Sequence, residues 1–259
     1  MQIALIGTGA ISTYVQDALA AQGTTPAALL VRPARLSEPS DIPRVASVAD
    51  LPAHITHLVD CAGHGALASH GPAALRRGID VITVSIGALA NLDLLQDLQA
   101  AAETGNARLH LASGALGGLD ALQSARAGQL RSVTYTGRKP PKGWLGSPAE
   151  DLIDLTAPMD GPQTHFRGTA REAALQYPKN ANVAAAVALA GLGFEATQVE
   201  LIADPTVTTN IHEVRAEGDF GDFTFTISGH SLPASPRTSA LAAMSVVATL
   251  ARIAARIRS

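Results

Sequence analysis

Gly7 and Gly9 are the residues whose type and spacing say most about chemistry. They separate an apolar run, Ile3, Ala4, Leu5 and Ile6, from a helical pattern of Ile11, Tyr14, Val15, Ala18 and Leu19. A missing Cβ at Gly7 permits a tight turn, and at Gly9 it lets the main chain approach a pyrophosphate. The N–H groups that open the next helix, at Ala10 and Ile11, would then hold the anion. Ser12 takes the place of the third glycine in G-x-G-x-x-G and is small enough for close helix-to-strand packing. A strand, this turn and a helix in that order predict a dinucleotide site.

Proton transfer near neutral pH points to histidine. Of the eight histidines, His54, His57, His70, His110 and His230 have no polar companions that set them apart, and His165 differs little. His64 follows a strand in a glycine-flanked loop, where it either caps the loop or lines a nicotinamide pocket. His212 lies in a strand-like run, and spacing alone leaves it open as a base or a structural histidine. No H-x-x-x-H or H-E-x-x-H is present, and one cysteine, Cys61, cannot build a structural zinc site, so no metal is expected. No G-x-S-x-G marks a nucleophilic serine.

The elements that must position these residues alternate. Strand-like runs at 3–6, 27–31, 58–59, 81–85 and 108–111 are separated by helical patterns, with a proline-rich loop after Arg32. This predicts an α/β protein with an N-terminal Rossmann-type doubly wound parallel sheet over residues 1–113. From Val133 strand-like runs at 198–203, 208–216 and 220–228 gather with little helix between them, apart from 180–192. A second α+β domain is therefore expected over 114–238. The final helical pattern, 239–257, with Arg252, Arg256 and Arg258 suited to the helix dipole, is expected to pack back on the first domain.

An NAD site usually ends its second strand in an acid that binds the ribose 2′-OH. Here Val31 and Arg32 stand there, and Arg32, with Arg35, could meet a 2′-phosphate or simply be solvated. Both NAD and NADP stay open. The chain of 259 residues is 47% hydrophobic, enough for a large core, and its net charge of −3 gives no reason to expect nucleic acid as a partner. The longest apolar stretch, 183–194, is about half of the roughly 20 residues a membrane span needs. With no signal-type N-terminus and a single cysteine, a cytoplasmic location is expected.

Further strings distinguish the chain from a generic dehydrogenase: Cys-Ala-Gly-His at 61–64, Ser-Ile-Gly-Ala-Leu at 85–89, Ser-Gly-Ala-Leu-Gly-Gly-Leu-Asp-Ala at 113–121, Tyr-Thr-Gly-Arg-Lys-Pro-Pro at 135–141, Gly-Thr-Ala-Arg-Glu-Ala-Ala at 168–174, Tyr-Pro-Lys-Asn-Ala-Asn-Val-Ala at 177–184, Ala-Asp-Pro at 203–205 and Asn-Ile-His-Glu at 210–213. In this order the chain resembles the L-aspartate dehydrogenase family almost end to end. The resemblance implies a homodimer that oxidatively deaminates L-aspartate through iminoaspartate to oxaloacetate and ammonia with NAD or NADP, in the context of NAD biosynthesis. It places the catalytic histidine at His212 and further cofactor contacts at Ala115 and Asn182. Ser12 and the Ser-Pro-Arg-Thr-Ser string at 235–239 depart from the family pattern.

Two substrate carboxylates would need cations or backbone donors. Lys179, Arg138, Lys139, Arg167 and Arg171 are the candidates, with Lys179 favoured by Asn180 and Asn182 beside it. Two other readings stay open: a related reductase or semialdehyde dehydrogenase, for which the one thiol, Cys61, is poorly placed, and a non-catalytic NAD(P) sensor.

Overall fold

The computed structural model describes residues 1–178, 180 and 182–257, without the side chains of Pro236 and Arg237. It divides into two compact units: Met1–Gly114 with the segment from Ala242 onward, and Ala115–Leu241.

The first unit is built on a sheet of six strands, β1 (Ile3–Ile6), β2 (Ala28–Leu30), β3 (Arg44–Val45), β4 (His57–Asp60), β5 (Asp80–Thr83) and β6 (Leu109–Leu111). Their order is β3-β2-β1-β4-β5-β6 and every neighbouring pair is parallel. This is the doubly wound arrangement, whose strand order reverses between β1 and β4 and opens a ligand crevice at their C-terminal ends. All four residues of β1 are buried, as an apolar run covered on both faces requires. Strand β3 lies in the stretch that reads from sequence as loop; it is two residues long, at the sheet edge.

Helices α1 (Ala10–Ala20), α2 (His64–Arg76) and α3 (Leu92–Gly105) make the crossovers. Helix α3 shows local punctuation clearly. The Asn91 side chain accepts from the Leu94 N–H at its start, and Asn106 closes it in a left-handed conformation at φ 49°.

In the second unit a mixed sheet joins β7 (Leu130–Lys139), β8 (Gln163–Thr169), β9 (Gln198–Ala203), β10 (Asn210–Gly218) and β11 (Gly221–Gly229) in the order β11-β10-β7-β9-β8. Only the β7–β9 pair is parallel. Helices α4 (Leu119–Ala125), α5 (Ala170–Gln176) and α6 (Asn182–Ala190) accompany it, and β12 (Ser231–Leu232) pairs with β13 (Ser235–Ser239). Almost every side chain of α6 is buried, which accounts for the long apolar stretch. No described helix is long and apolar enough to cross a membrane.

The last helix, α7 (Ala240–Ala254), belongs to the first unit from Ala242 on. Its Val246 and Leu250 join a core of Ile3, Leu5, Val15, Leu19, Leu29, Val59 and Ile82. Of the three arginines expected to suit its dipole, Arg252 lies in its last turn, Arg256 lies past its end and Arg258 falls outside the described residues.

Candidate active site

In the first unit the glycine turn forms one wall of a cavity of about 620 Å³, bordered by Gly7, Thr8 and Gly9, by Arg32 and Arg35 after β2, and by Cys61, Gly65 and His70. Gly7 has φ +89°, and a Cβ there would lie 2.9 Å from the Ala62 Cβ, so the turn tolerates no side chain. A Cβ at Gly9 would meet nothing within 4 Å. That position faces open space, the cradle a pyrophosphate needs. Ala10 and Ile11 are the first residues of α1, with Gly9 as its N-cap, so their N–H groups have no earlier helical turn to bond. The residues therefore fit the phosphates of a dinucleotide.

Ser12 is fully buried and takes a hydrogen bond from Gln16 Nε2 at 3.1 Å, which shows the third-glycine position in use for packing. At the end of β4 Asp60 is completely buried and accepts from Ser85 Oγ at 2.5 Å, Thr83 Oγ1 at 2.8 Å and the Ala62 N–H at 3.0 Å. Burial pushes its pKa up while these donors hold it down. Its carboxyl ties the end of β4 to the end of β5, a role the sequence reading missed.

After β2, Arg35 donates to Thr8 Oγ1 and pairs with Glu38 at 2.8 Å, and Arg44 pairs with the same glutamate. Arg32 has no side-chain partner among the described residues and borders the cavity, as does no described acid. His70, passed over in the sequence, borders it too; His64 is the first residue of α2. The Cys61 thiol is pushed well up by burial and by Asp60 beside it, so it is not a poised nucleophile.

In the second unit chemistry gathers on one face of the mixed sheet. Strand alternation puts Val133, Tyr135, Gly137 and Lys139 of β7 on the buried face, and the register sets His212 opposite Gly137 and Val214 opposite Tyr135. His212 is 4% exposed, and its Nδ1 lies 2.8 Å from the hydroxyl of Tyr135, itself 1% exposed. Gly137 makes this bond possible. A Cβ there would lie 2.8 Å from the Tyr135 Oη. Burial, and then the Lys139 charge, hold His212 down at about 4, so the imidazole is neutral at physiological pH.

Lys139 is 8% exposed and burial lowers it to about 8. Its Nζ donates to Asn180 Oδ1 at 2.8 Å and lies 4.5 Å from the centre of the Trp144 ring. No described carboxylate pairs with it. The other cations proposed from sequence are taken: Arg138 by Asp204 at 2.8 Å, Arg167 by Glu200 at 2.6 Å, and Arg171 by Glu195. Lys179, favoured from sequence, falls outside the described residues, whereas its neighbour Asn180 is the partner of Lys139.

Residues 120–253 match the family described as "Aspartate dehydrogenase, C-terminal". Residues 7–112 match "Homoserine dehydrogenase, NAD binding domain". The chain is 53% identical to an L-aspartate dehydrogenase of Ruegeria pomeroyi, covering 100% of this chain and 94% of that one. The chain belongs to the L-aspartate dehydrogenase family. It is also 46% identical to the L-aspartate dehydrogenase of Ralstonia nicotianae, over 96% of both chains. The crystal structure of aspartate dehydrogenase from Thermotoga maritima superimposes with a TM-score of 0.80 at 25% identity, covering 100% of this chain and 99% of that one. As a member of this family, with a matched NAD-binding domain, the chain is an oxidoreductase that uses NAD or NADP.

Of the contacts that family resemblance adds, Ala115 is buried in the second unit and Asn182 is the first residue of α6. The structure gathers Gly7, Gly9 and Arg32 around one cavity, and Tyr135 with His212, and Lys139 with Asn180, on one face. The sequence reading missed Tyr135 and ranked Lys139 no higher than four other cations. Their phase was the available signal, since Lys139 falls in step with Val133 and Tyr135, and His212 with Val214 and Ala216.

Proposed function

We propose that this family member oxidises L-aspartate to iminoaspartate and that water then releases oxaloacetate and ammonia, the reverse being reductive amination. When bound, the nicotinamide supplies the acceptor for the hydride leaving the α-carbon. His212 is the proposed base that takes a proton from the water attacking the imine carbon. The observation that carries this role is a buried, neutral imidazole fixed through Nδ1 by Tyr135. With Nδ1–H donating to the Tyr135 oxygen, Nε2 is left with its lone pair for the proton.

In this reading Gly7, Gly9, Ala10 and Ile11 hold the pyrophosphate, Ala115 and Asn182 supply further cofactor contacts, and Lys179 and Asn180 serve the substrate. Arg32 makes NADP acceptable beside NAD, because a guanidinium matches a phosphate bidentately. The Met1–Gly114 segment acts as the dinucleotide domain and the second unit as the substrate and dimerisation domain of a cytoplasmic homodimer feeding NAD biosynthesis. A turnover screen of L-aspartate against close amino acids with each cofactor tests the reaction. NAD(P)H formation selective for L-aspartate is expected, and its absence with both cofactors at neutral and alkaline pH refutes it. His212→Ala should keep NAD(P)H binding and lose most of the rate; near-normal turnover removes His212 from the mechanism.

A further inference from the structure

A buried ammonium is costly unless an anion or several acceptors meet it. Among the described residues Lys139 meets the neutral Asn180, by a hydrogen bond, and the Trp144 ring face, with no described carboxylate within pairing distance. His165 packs against the same Trp144 ring, with ring centres 4.4 Å apart and planes at 72°. It is 6% exposed, its Nδ1 is held by the Tyr177 hydroxyl at 3.1 Å, and its buried Nε2 has no hydrogen-bond partner. His165 occupies the point where the β8–β9 register shifts, between Thr164 and Phe166, and a bulge re-aims the side chain it carries. One cation without a described counter-charge and one unpaired ring nitrogen thus belong to side chains that contact the same indole, on the unit that also carries His212.

We propose that Lys139 and His165 together hold a carboxylate group of the substrate. The proposal rests on the reading of His212 as base and adds what selects an anionic substrate. Tyr177 donates its hydroxyl proton to Nδ1, which leaves Nε2–H as the donor, and Lys139 supplies the charge. Burial depresses the pKa of His165 and of His212, and the Lys139 charge adds to it on both rings. A bound carboxylate neutralises that charge and accepts from the orphan Nε2–H.

The test uses the full chain and two readouts, turnover of L-aspartate with saturating NAD(P)+ and thermal unfolding with NAD(P)H bound. A hydrogen bond to a charged partner is worth a factor of about 10 to 150. Lys139→Met should therefore raise KM for L-aspartate by about that factor, with kcat changed far less and NAD(P)H affinity unchanged. Lys139→Arg should recover part of the loss. His165→Leu should raise KM about tenfold, and His165→Gln, which keeps a donor near the ε position, less. Independently of turnover, succinate should raise the Tm of the unaltered protein while its uncharged diamide does not, and Lys139→Met should abolish that rise. An unchanged KM, or an equal succinate shift in Lys139→Met, overturns the proposal. If the unaltered protein fails to oxidise L-aspartate, the proposed reaction falls, and the succinate shift alone then decides for or against the anion site.

Discussion

Tyr135→Phe removes one oxygen and keeps the ring, so it isolates the bond that fixes His212. Both partners are almost fully buried and the bond is 2.8 Å long. Its loss leaves a buried imidazole nitrogen unpaired, at a cost of about 1–3 kcal/mol. For a chain of this size about 1 kcal/mol moves Tm by roughly 2–4 °C, so a fall of about 2–12 °C is expected. The rate should fall at least about tenfold, within the roughly 10²–10⁴ a general base contributes, with NAD(P)H affinity unchanged. Gly137→Ala provides the cross-check. Its Cβ would press on the Tyr135 Oη at 2.8 Å, so it should lower kcat as Tyr135→Phe does while altering neither partner. In the double variant the shortest contact is gone, so the alanine should add little to the loss of rate, while its contacts with Leu201 Cδ2 at 3.1 Å and Tyr135 Cζ at 3.2 Å still lower Tm. Stopped-flow or steady-state kinetics with thermal unfolding on all four proteins reads this cycle. Additive losses, or a Tyr135→Phe enzyme with unaltered rate, would refute the reasoning.

Gly7→Ala and Gly9→Ala should part company: the first destabilises the fold through strain at φ +89° and the clash with Ala62, whereas the second leaves Tm in place and weakens NAD(P)H binding. Unfolding and fluorescence titration of both proteins check this, and equal Tm values would contradict it. Arg32→Ala should raise KM for NADP well above its effect on KM for NAD; parallel changes show that Arg32 is only solvated. His165 and His212 are both held near 4 against an ordinary 6.5, so the unfolded chain takes up their protons first as pH falls. Their contribution is complete above about pH 6.5, is lost between there and about pH 4, and amounts to at most about 3 kcal/mol each. Tm profiles of the unaltered protein and His165→Phe should converge over that window; parallel profiles would overturn it.

The first unit was largely legible because its signals are local. An apolar run against two glycines needs no tertiary knowledge to be read as β1, turn and α1. Strand β3 escaped because Arg44 and Val45 lie at an edge after Pro39 and Pro43, too short to show a period. Strand β8 escaped for a different reason: its polar sequence and the extra residue near His165 break the alternation on which strand reading depends. His212 came from family resemblance rather than from its spacing. The phase of β7 marks Tyr135 and Lys139 as buried, but that Tyr135 meets His212 follows only from the register with β10, since what a strand residue faces is decided by the neighbouring strand.

Because Val246 and Leu250 complete the core around β1, the nucleotide-binding unit is assembled from the two ends of the chain, with the second unit inserted between them. On the ribosome, β1 through β6 emerge long before the helix that finishes their packing. The insert can complete its own sheet while the first unit still exposes apolar surface. Loss of the last fifteen residues therefore threatens the glycine turn at the opposite terminus, and a truncated or stalled chain should be recognised by chaperones or proteases through its N-terminal half.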